Sequence, residues 1–397
     1  MRNEKSIMTD INPKPLLLIA VALIGVFAFL QVYSVQAILP VLVHDLQASE
    51  VQAGLAVGAT VLGVAVMSPF MGMLSDALGR KWFIVGSLLF LTLPTALLAT
   101  THSIEQVMAY RFLQGITIPG ITVVLIAYIG EEFDGRVMTR LMSLYVAGTV
   151  LGGFLGRFML GHLSEWLGWR HAFYVMGSLS LMSAWFVWQQ LPVSQNFVAK
   201  PHFAEAWRTL SRHVRNPHVI TACLLGACVL YSLVGCFTYI NLYLAAPPYA
   251  LNSGSLANLF AVYLIGMVIT PLSARLIMRW GSRRTIIMAV GVSMLGVVGT
   301  LTAPLWLIVG ALALMSSGVF IAQAATISYI AANVTEGRSL ASGLYYMAYY
   351  GGGTLGAWLC GMAYAHAAWQ GVVWMLLVIQ GLAGLIVLKG MAKPPAQ

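Results

Sequence analysis

The chain has 397 residues, of which 59% are hydrophobic and 8% are charged, whereas a soluble domain carries about 25% charged residues. Together with a mean hydropathy of +0.85, this excludes a soluble enzyme, a disordered protein and a disulfide scaffold. A transmembrane helix needs about 20 apolar residues, so the chain has room for roughly a dozen membrane spans joined by short loops.

Uncharged stretches mark the predicted helices in chain order. The first half contains six, with Arg157 as an interruption of the fifth; they cover residues 16–43, 51–75, 82–104, 112–130, 141–163 and 172–191. The second half contains three longer stretches, residues 219–274, 285–335 and 339–388. Each is long enough for two spans and has a turn signal near its middle, at Pro247-Pro248, at Pro304 and at residues 366–369. The sequence therefore predicts an all-α membrane protein with twelve helices.

The basic residues are distributed unevenly between the two ends of these helices. Of the 21 Lys and Arg residues, all except Arg111, Arg157 and Arg170 fall on the side of the two termini. The positive-inside rule then predicts that both termini are cytoplasmic, in the cell inner membrane. The same rule explains the net charge of +9 without nucleic-acid binding.

A polar segment near the midpoint divides the chain into two related parts. The predicted domains are an N-terminal six-helix bundle (residues 1–191), a cytoplasmic linker (192–217) and a C-terminal six-helix bundle (218–397). The parts share a repeat at a spacing of about 200 residues: Leu144-Tyr145, Gly152-Gly153, Leu155-Gly156, Gly161 and Trp169 recur as Leu344-Tyr345, Gly352-Gly353, Leu355-Gly356, Gly361 and Trp369. Parallel repeats with a site between them are the plan of many secondary transporters.

Three motifs carry a family resemblance. GMLSDALGRK, with Gly72, Asp76, Gly79, Arg80 and Lys81, resembles the signature of the major facilitator superfamily, except that Ala77 stands at a usually basic position. RFLQG at residues 111–115 is similar to the superfamily's R-x-x-Q-G motif on the fourth helix. GTVLGGFLGR at residues 148–157 is similar to the glycine-rich fifth-helix motif of the drug:proton antiporters, with Gly153 where the common pattern has proline. Residues 318–328 and 341–353 are similar to bacterial efflux permeases of the drug and arabinose-efflux type. The resemblance implies two six-helix bundles with a central transport pathway.

The first motif implies a gate. By the resemblance, Asp76 faces the start of the eleventh helix, where unpaired N–H groups attract a carboxylate. Arg80 is then expected to pair with Glu131, Glu132 or Asp134. The alternative is a solvated loop.

Arg111 and Arg157 lie within predicted spans, where a cation costs about 2.5 to 3.5 kcal/mol on insertion scales and is usually functional. The alternative is that both side chains reach the outer membrane surface. We expect Arg111 to meet Gln36 on the first helix, since relatives often have an acid there.

Glycines recur at four-residue spacing on the fifth and eleventh helices, a pattern that lets helices approach closely. They are Gly148, Gly152, Gly153, Gly156, Gly352 and Gly356. We expect this packing to form the sealed contact between the two halves.

The resemblance also implies that the first, fourth, seventh and tenth helices line the pathway. With Arg111 and Arg157, this predicts a substrate or proton pathway through Gln31, Tyr33, Gln36, Gln114, Tyr231, Tyr239, Asn241 and Gln323, with Tyr345, Tyr346, Tyr349 and Tyr350 nearby. Amide and phenol groups suit a neutral or amphiphilic guest. No catalytic, cofactor or metal-binding pattern is visible, so the chain is not predicted to be an enzyme.

The predicted function is export of small amphiphilic molecules by a monomeric, proton-coupled antiporter. No acidic residue lies mid-span, which leaves Asp76, Asp45, Glu105 and His44 as proton carriers. One alternative is an organic-anion or sugar porter that uses Arg111 and Arg157. The other is a non-transporting membrane sensor or scaffold.

Overall fold

The computed structural model describes residues 15–195, 211–334 and 338–391. Twelve spans follow in chain order, and we number them α1 to α12. They are α1 (Pro15–Val32, continued by the 3₁₀ segment Ser34–Ile38 and by Leu39–Asp45), α2 (Glu50–Leu78), α3 (Arg80–Leu98), α4 (Ile104–Glu132), α5 (Gly135–Leu167), α6 (Trp169–Gln190), α7 (Pro217–Ala245), α8 (Ser253–Leu259, the 3₁₀ segment Phe260–Leu264 and residues 265–280), α9 (residues 282–299), α10 (Leu305–Asn333), α11 (residues 338–366) and α12 (residues 369–390).

In the second half, two breaks in the backbone separate α8 from α9 and α11 from α12, which otherwise follow each other without a loop. Gly281 has φ 74° and interrupts the continuous helical run Ile265–Gly299. Ala367 and Ala368 leave helical geometry within Arg338–Gly390, and Ala368 has φ 47°. With these breaks the predicted all-α, twelve-helix fold is confirmed, and the turn predicted at residues 366–369 lies at the second break.

The first span is not a continuous α-helix. Its regular part ends at Val32, a 3₁₀ segment covers Ser34–Ile38, and α-geometry resumes at Leu39. Pro40 contributes to the break, because it has no N–H to donate to the carbonyl of Gln36 and its ring clashes with that carbonyl. The carbonyls of Gln31 and Val32, at the end of the regular part, lose their helical partners in the middle of a membrane span.

The glycine motif packs two helices together within each half. Added Cβ atoms at Gly148, Gly152 and Gly156 of α5 would meet the backbone of Ala22, Val26 and Leu30 on α1. In the second half, Gly352 and Gly356 of α11 lie in the same way against Ala227 and Tyr231 of α7. The duplicated sequence thus builds the same helix pair twice.

The prediction that this glycine packing seals the two halves against each other is therefore wrong. A four-residue stripe of small residues specifies a close approach, but it does not specify which helix approaches. Gly153 does not enter the contact with α1, and its nearest neighbour is the Arg157 guanidinium. Gly161 and Gly353, which lie beside the motif, do meet the opposite half, through Ala257 and Val61 respectively.

The spans run alternately, so their ends form two faces. We call the face with Gly79, Gly135 and Gly281 the basic face, because Arg80, Arg136 and Arg284 lie beside these turns, and the opposite one the far face. Hydrogen bonds between α5 and α8 join the two halves near the far face. Glu165 accepts from the Asn252 amide at 2.7 Å and from the Gly254 N–H at 3.2 Å, and His162 lies 3.1 Å from the Asn258 amide oxygen.

Candidate functional site

Arg111 is fully buried and stabilises the break in α1. Its guanidinium donates to the free carbonyls of Gln31 and Val32, to the Gln114 side chain at 2.7 Å and to the carbonyl of Ala56 at 3.3 Å. A cation at the carboxyl end of a helix segment is favoured because that end carries partial negative charge. The expectation that Arg111 meets Gln36 is therefore wrong, and so is the alternative that its side chain reaches the membrane surface.

Gln36 contacts Arg157 instead. The Arg157 side chain is 1% exposed, so it too is buried and does not extend to the surface. Its Nε donates to the Gln36 side-chain oxygen at 2.7 Å, and its Nη1 donates to the Gly153 carbonyl one turn earlier. Gln36 in turn donates to Thr238 of α7 at 3.0 Å, which connects the arginine to the opposite half.

Three aromatic rings surround the Arg157 guanidinium. Its central carbon lies 4.7 Å from the ring centroid of Tyr33, 4.6 Å from that of Phe260 and 4.3 Å from that of Tyr263. Such cation–π contacts are worth about 2 kcal/mol or more when desolvated. Tyr33 and Gln36 belong to the interrupted part of α1, and the other two rings belong to the 3₁₀ segment of α8. The two irregular segments, one from each half, thus meet at a single arginine.

Sequence reasoning missed Phe260, Tyr263 and Thr238. The two rings are three residues apart, which is the spacing that places side chains on one face of a 3₁₀ helix. Pro40 was the available signal for the break in α1. Nothing in the sequence connects α8 with Arg157, because that contact joins residues about 100 positions apart.

The gating motif is described in part. Gly79 has φ 85° and makes the turn between α2 and α3. Arg80 is buried and binds Glu131 through two hydrogen bonds of 3.0 and 2.6 Å, so its partner is one of the three predicted acids. Lys81 lies 5.8 Å from the ring of Trp82. The backbone of α2 includes Gly72 and Asp76, but the side chain of Asp76 lies outside what the structure describes.

The other predicted pathway residues do not form one site. Gln31 donates from its side chain to Ser180 at 3.3 Å, and Gln114 donates to Thr95 at 2.7 Å. Those on the later helices have other partners. Tyr239 donates to the Ala357 carbonyl beside Gly54 of α2, and Asn241 donates to the Phe237 carbonyl. Tyr231 lies near Cys360, and Gln323 is half-buried on α10.

A tyrosine cluster lies on the basic-face part of α11. Tyr349 and Tyr350 have ring centroids 5.3 Å apart, and the rings of Tyr345 and Tyr346 continue the cluster at 5.4 Å from each other. From the other half, Tyr33 of α1 lies near Tyr349 and Tyr350, and Tyr145 of α5 lies near Tyr346 and Tyr350. We call these six residues the tyrosine cluster.

The buried charges are unbalanced. Arg80, Arg111 and Arg157 are buried, whereas no Asp or Glu side chain among the described residues is. Arg80 has the partly exposed Glu131 as its partner, so Arg111 and Arg157 are the uncompensated cations. A charge within a membrane span usually faces a pathway. Two related six-helix halves that enclose such charges and a set of tyrosines define a multi-pass membrane transporter.

Comparison with known proteins places this transporter in a family. A sequence profile of the Major Facilitator Superfamily matches residues 21–305 and again residues 236–397. The chain belongs to this superfamily, whose members are transporters and not enzymes, as predicted.

Relatives and solved structures agree with this assignment. The inner membrane transport protein YnfM of Escherichia coli is 29% identical over 91% of this chain and 87% of its own length. The chloramphenicol resistance protein CraA of Acinetobacter baumannii is 30% identical over 44% of this chain and 41% of its own length. The nucleoside transporter NupG, solved as a point mutant, superimposes with a TM-score of 0.78 at 15% identity, covering 95% of this chain and 100% of that one. The last likeness concerns the fold alone.

Proposed function

We propose that this transporter exports small amphiphilic molecules across the bacterial inner membrane by alternating access, in exchange for protons. The tyrosine cluster is the observation that supports this substrate class. Its rings come from α1, α5 and α11, so they belong to both halves, and each combines an apolar face with one hydroxyl. The partial similarity to CraA, a chloramphenicol resistance protein, is consistent with export.

The contacts near the far face support alternating access. Glu165 and His162 of α5 hold the first turns of α8, and Gln36 holds Thr238. These hydrogen bonds are few and polar, so they are able to break and reform as the halves tilt. On the basic-face part of α8, by contrast, Met278 is 80% exposed, so the other half does not cover α8 at this residue.

We assign the basic face, and with it both termini, to the cytoplasm. A membrane-impermeant maleimide applied to intact cells tests this directly. The reagent should label Thr302→Cys, which lies in the far-face turn, and should leave Ser282→Cys unlabelled until the cells are permeabilised. The reverse pattern would contradict the orientation.

The rival function is an organic-anion or sugar porter that uses both Arg111 and Arg157 to bind substrate. Only Arg157 is still available for that role. Arg111 already donates to four acceptors of the protein, so it has little capacity left for a guest. The role of a non-transporting sensor has no support from the described contacts.

Flux into proteoliposomes tests the proposal. The purified full-length protein is given an imposed pH gradient and a panel of cationic, neutral and anionic aromatic compounds, while an internal dye reports proton movement. We expect gradient-driven accumulation of at least one compound, with Tyr346→Ala slowing it and the exposed Tyr174→Ala leaving it unchanged. Absence of gradient-driven flux across the panel would refute coupled export, and equal loss in both variants would remove the tyrosine cluster from the pathway.

A further inference from the structure

We propose that Arg157 binds the carboxylate of an aromatic or amphiphilic anion, so that the transported class is organic anions with an aromatic body. This inference rests on the proposed transport function and deepens it. It starts from one atom. Nη2 of Arg157 is buried and has no hydrogen-bond partner among the described residues.

The rest of the guanidinium is held firmly. Gln36 accepts from Nε and the Gly153 carbonyl accepts from Nη1, so the plane of the group is fixed by two hydrogen bonds. An arginine that is held in this way offers its remaining donors in a defined direction. A carboxylate oxygen is the acceptor that fits them best, because hydrogen bonds between ionised partners are the strong ones.

Charge points to the same ligand. Arg157 has no buried acidic partner among the described residues, and the cation–π contacts compensate its charge only in part. Arg111 provides an internal comparison, because its guanidinium has four acceptors and lies at the negative end of a helix segment. Of the two uncompensated cations, Arg157 is therefore the one that can still accept an anion.

The surroundings select the body of that anion. Tyr33, Phe260 and Tyr263 all lie against the guanidinium, with ring centroids 4.3 to 4.7 Å from its central carbon. A guest whose carboxylate meets Nη2 would place its adjoining atoms among these rings, where an aromatic or apolar group gains most. Because two of the rings belong to α8, tilting of the halves would change the site and link the anion to the transport cycle.

Binding by the full-length protein in lipid nanodiscs tests the inference. The probes are 4-phenylbutyrate and its neutral counterpart 4-phenylbutyramide, with affinity measured by calorimetry. We expect the anion to bind at least tenfold more tightly than the amide, and Arg157→Gln to remove this preference. The control is Arg170→Gln, which changes another arginine that stacks on an aromatic ring, Trp169, at 4.2 Å, but lies at the far face; it should keep the preference.

A second variant covers the case in which Arg157→Gln does not fold. Phe260→Leu removes one of the three rings beside Arg157 without changing the guanidinium. It should lower the affinity for 4-phenylbutyrate at least threefold and leave the affinity for acetate unchanged. Equal affinity of the wild type for anion and amide would overturn the inference, as would a preference that survives Arg157→Gln, or a Phe260→Leu variant with wild-type affinity. If the flux panel then shows transport of cationic or neutral compounds only, export stands and the anion site fails. If no compound moves, export itself fails.

Discussion

Replacement of Gly156 by alanine is the sharpest test of the helix packing. An added Cβ at this position of α5 would lie closer than van der Waals contact to the carbonyl group and Cα of Leu30 on α1. These are backbone atoms, so they cannot rotate away as a side chain would. The two helices must move apart at this position, which weakens the packing of α1 against α5.

The magnitude follows from two opposing effects. Overpacking costs about 1 to 3 kcal/mol, and contact with a rigid backbone belongs at the upper end of that range. Alanine recovers about 1 kcal/mol over glycine in a helix interior. We therefore expect Gly156→Ala to lower the free energy of unfolding by about 2 kcal/mol.

Gly153→Ala is the matched control in the same helix. Its added Cβ would have one neighbour within 4 Å, the Arg157 Nη1 at an ordinary 3.6 Å. Only the helix-propensity gain remains, so this variant should be as stable as the wild type or more stable by up to about 1 kcal/mol. In the second half, Gly356→Ala should likewise destabilise, because its added Cβ would meet the backbone of Tyr231, and Gly351→Ala should be tolerated, because no described atom lies within 4 Å of its added Cβ.

Stability is measured as the unfolding midpoint of the purified protein in detergent, on heating and on titration with a denaturing detergent. The informative quantity is the order of the two variants, because both add the same methyl group to the same helix. If Gly156→Ala matched the wild type, or if Gly153→Ala lost as much stability, the assignment of this motif to the α1–α5 contact would be refuted.

Three further predictions concern the ion pair, the broken helix and the gating motif. The double-mutant cycle of Arg80→Gln with Glu131→Gln should give a coupling energy of about 1 kcal/mol. The bidentate geometry strengthens the pair, but one third of the Glu131 side chain is exposed to solvent, which weakens it. A coupling energy near zero would show that the pair does not stabilise the protein. Pro40→Ala returns an N–H to the Gln36 carbonyl and favours a continuous first span. The rate of transport should therefore fall while the melting temperature stays the same. An unchanged rate of transport would mean that the break has no role in transport. Asp76→Asn should slow turnover at normal expression, and transport at the wild-type rate would contradict the gating role.

The fold was largely predictable because the membrane requires long uncharged, apolar stretches in the spans and leaves most charges to the loops. Uncharged stretches and turn residues located all twelve spans, and the repeat predicted two related halves. The site was less predictable, because it depends on which helices meet. The sequence placed Arg157 in a span and Gln36 on the first helix, but the pairing of these two, and the rings of Phe260 and Tyr263, come from packing between the halves. The glycine motif shows the same limit, since its contact with α1 was predicted to lie elsewhere.

The break in α1 has a consequence for how the protein is energised. Exposed carbonyls at the end of an interrupted membrane helix are where several other transporters coordinate sodium. In this chain the carbonyls of Gln31 and Val32 are occupied by Arg111, which is covalently attached and cannot dissociate. In this structure the position is therefore filled by a tethered cation, and we expect that replacing sodium with choline leaves the rate of transport unchanged.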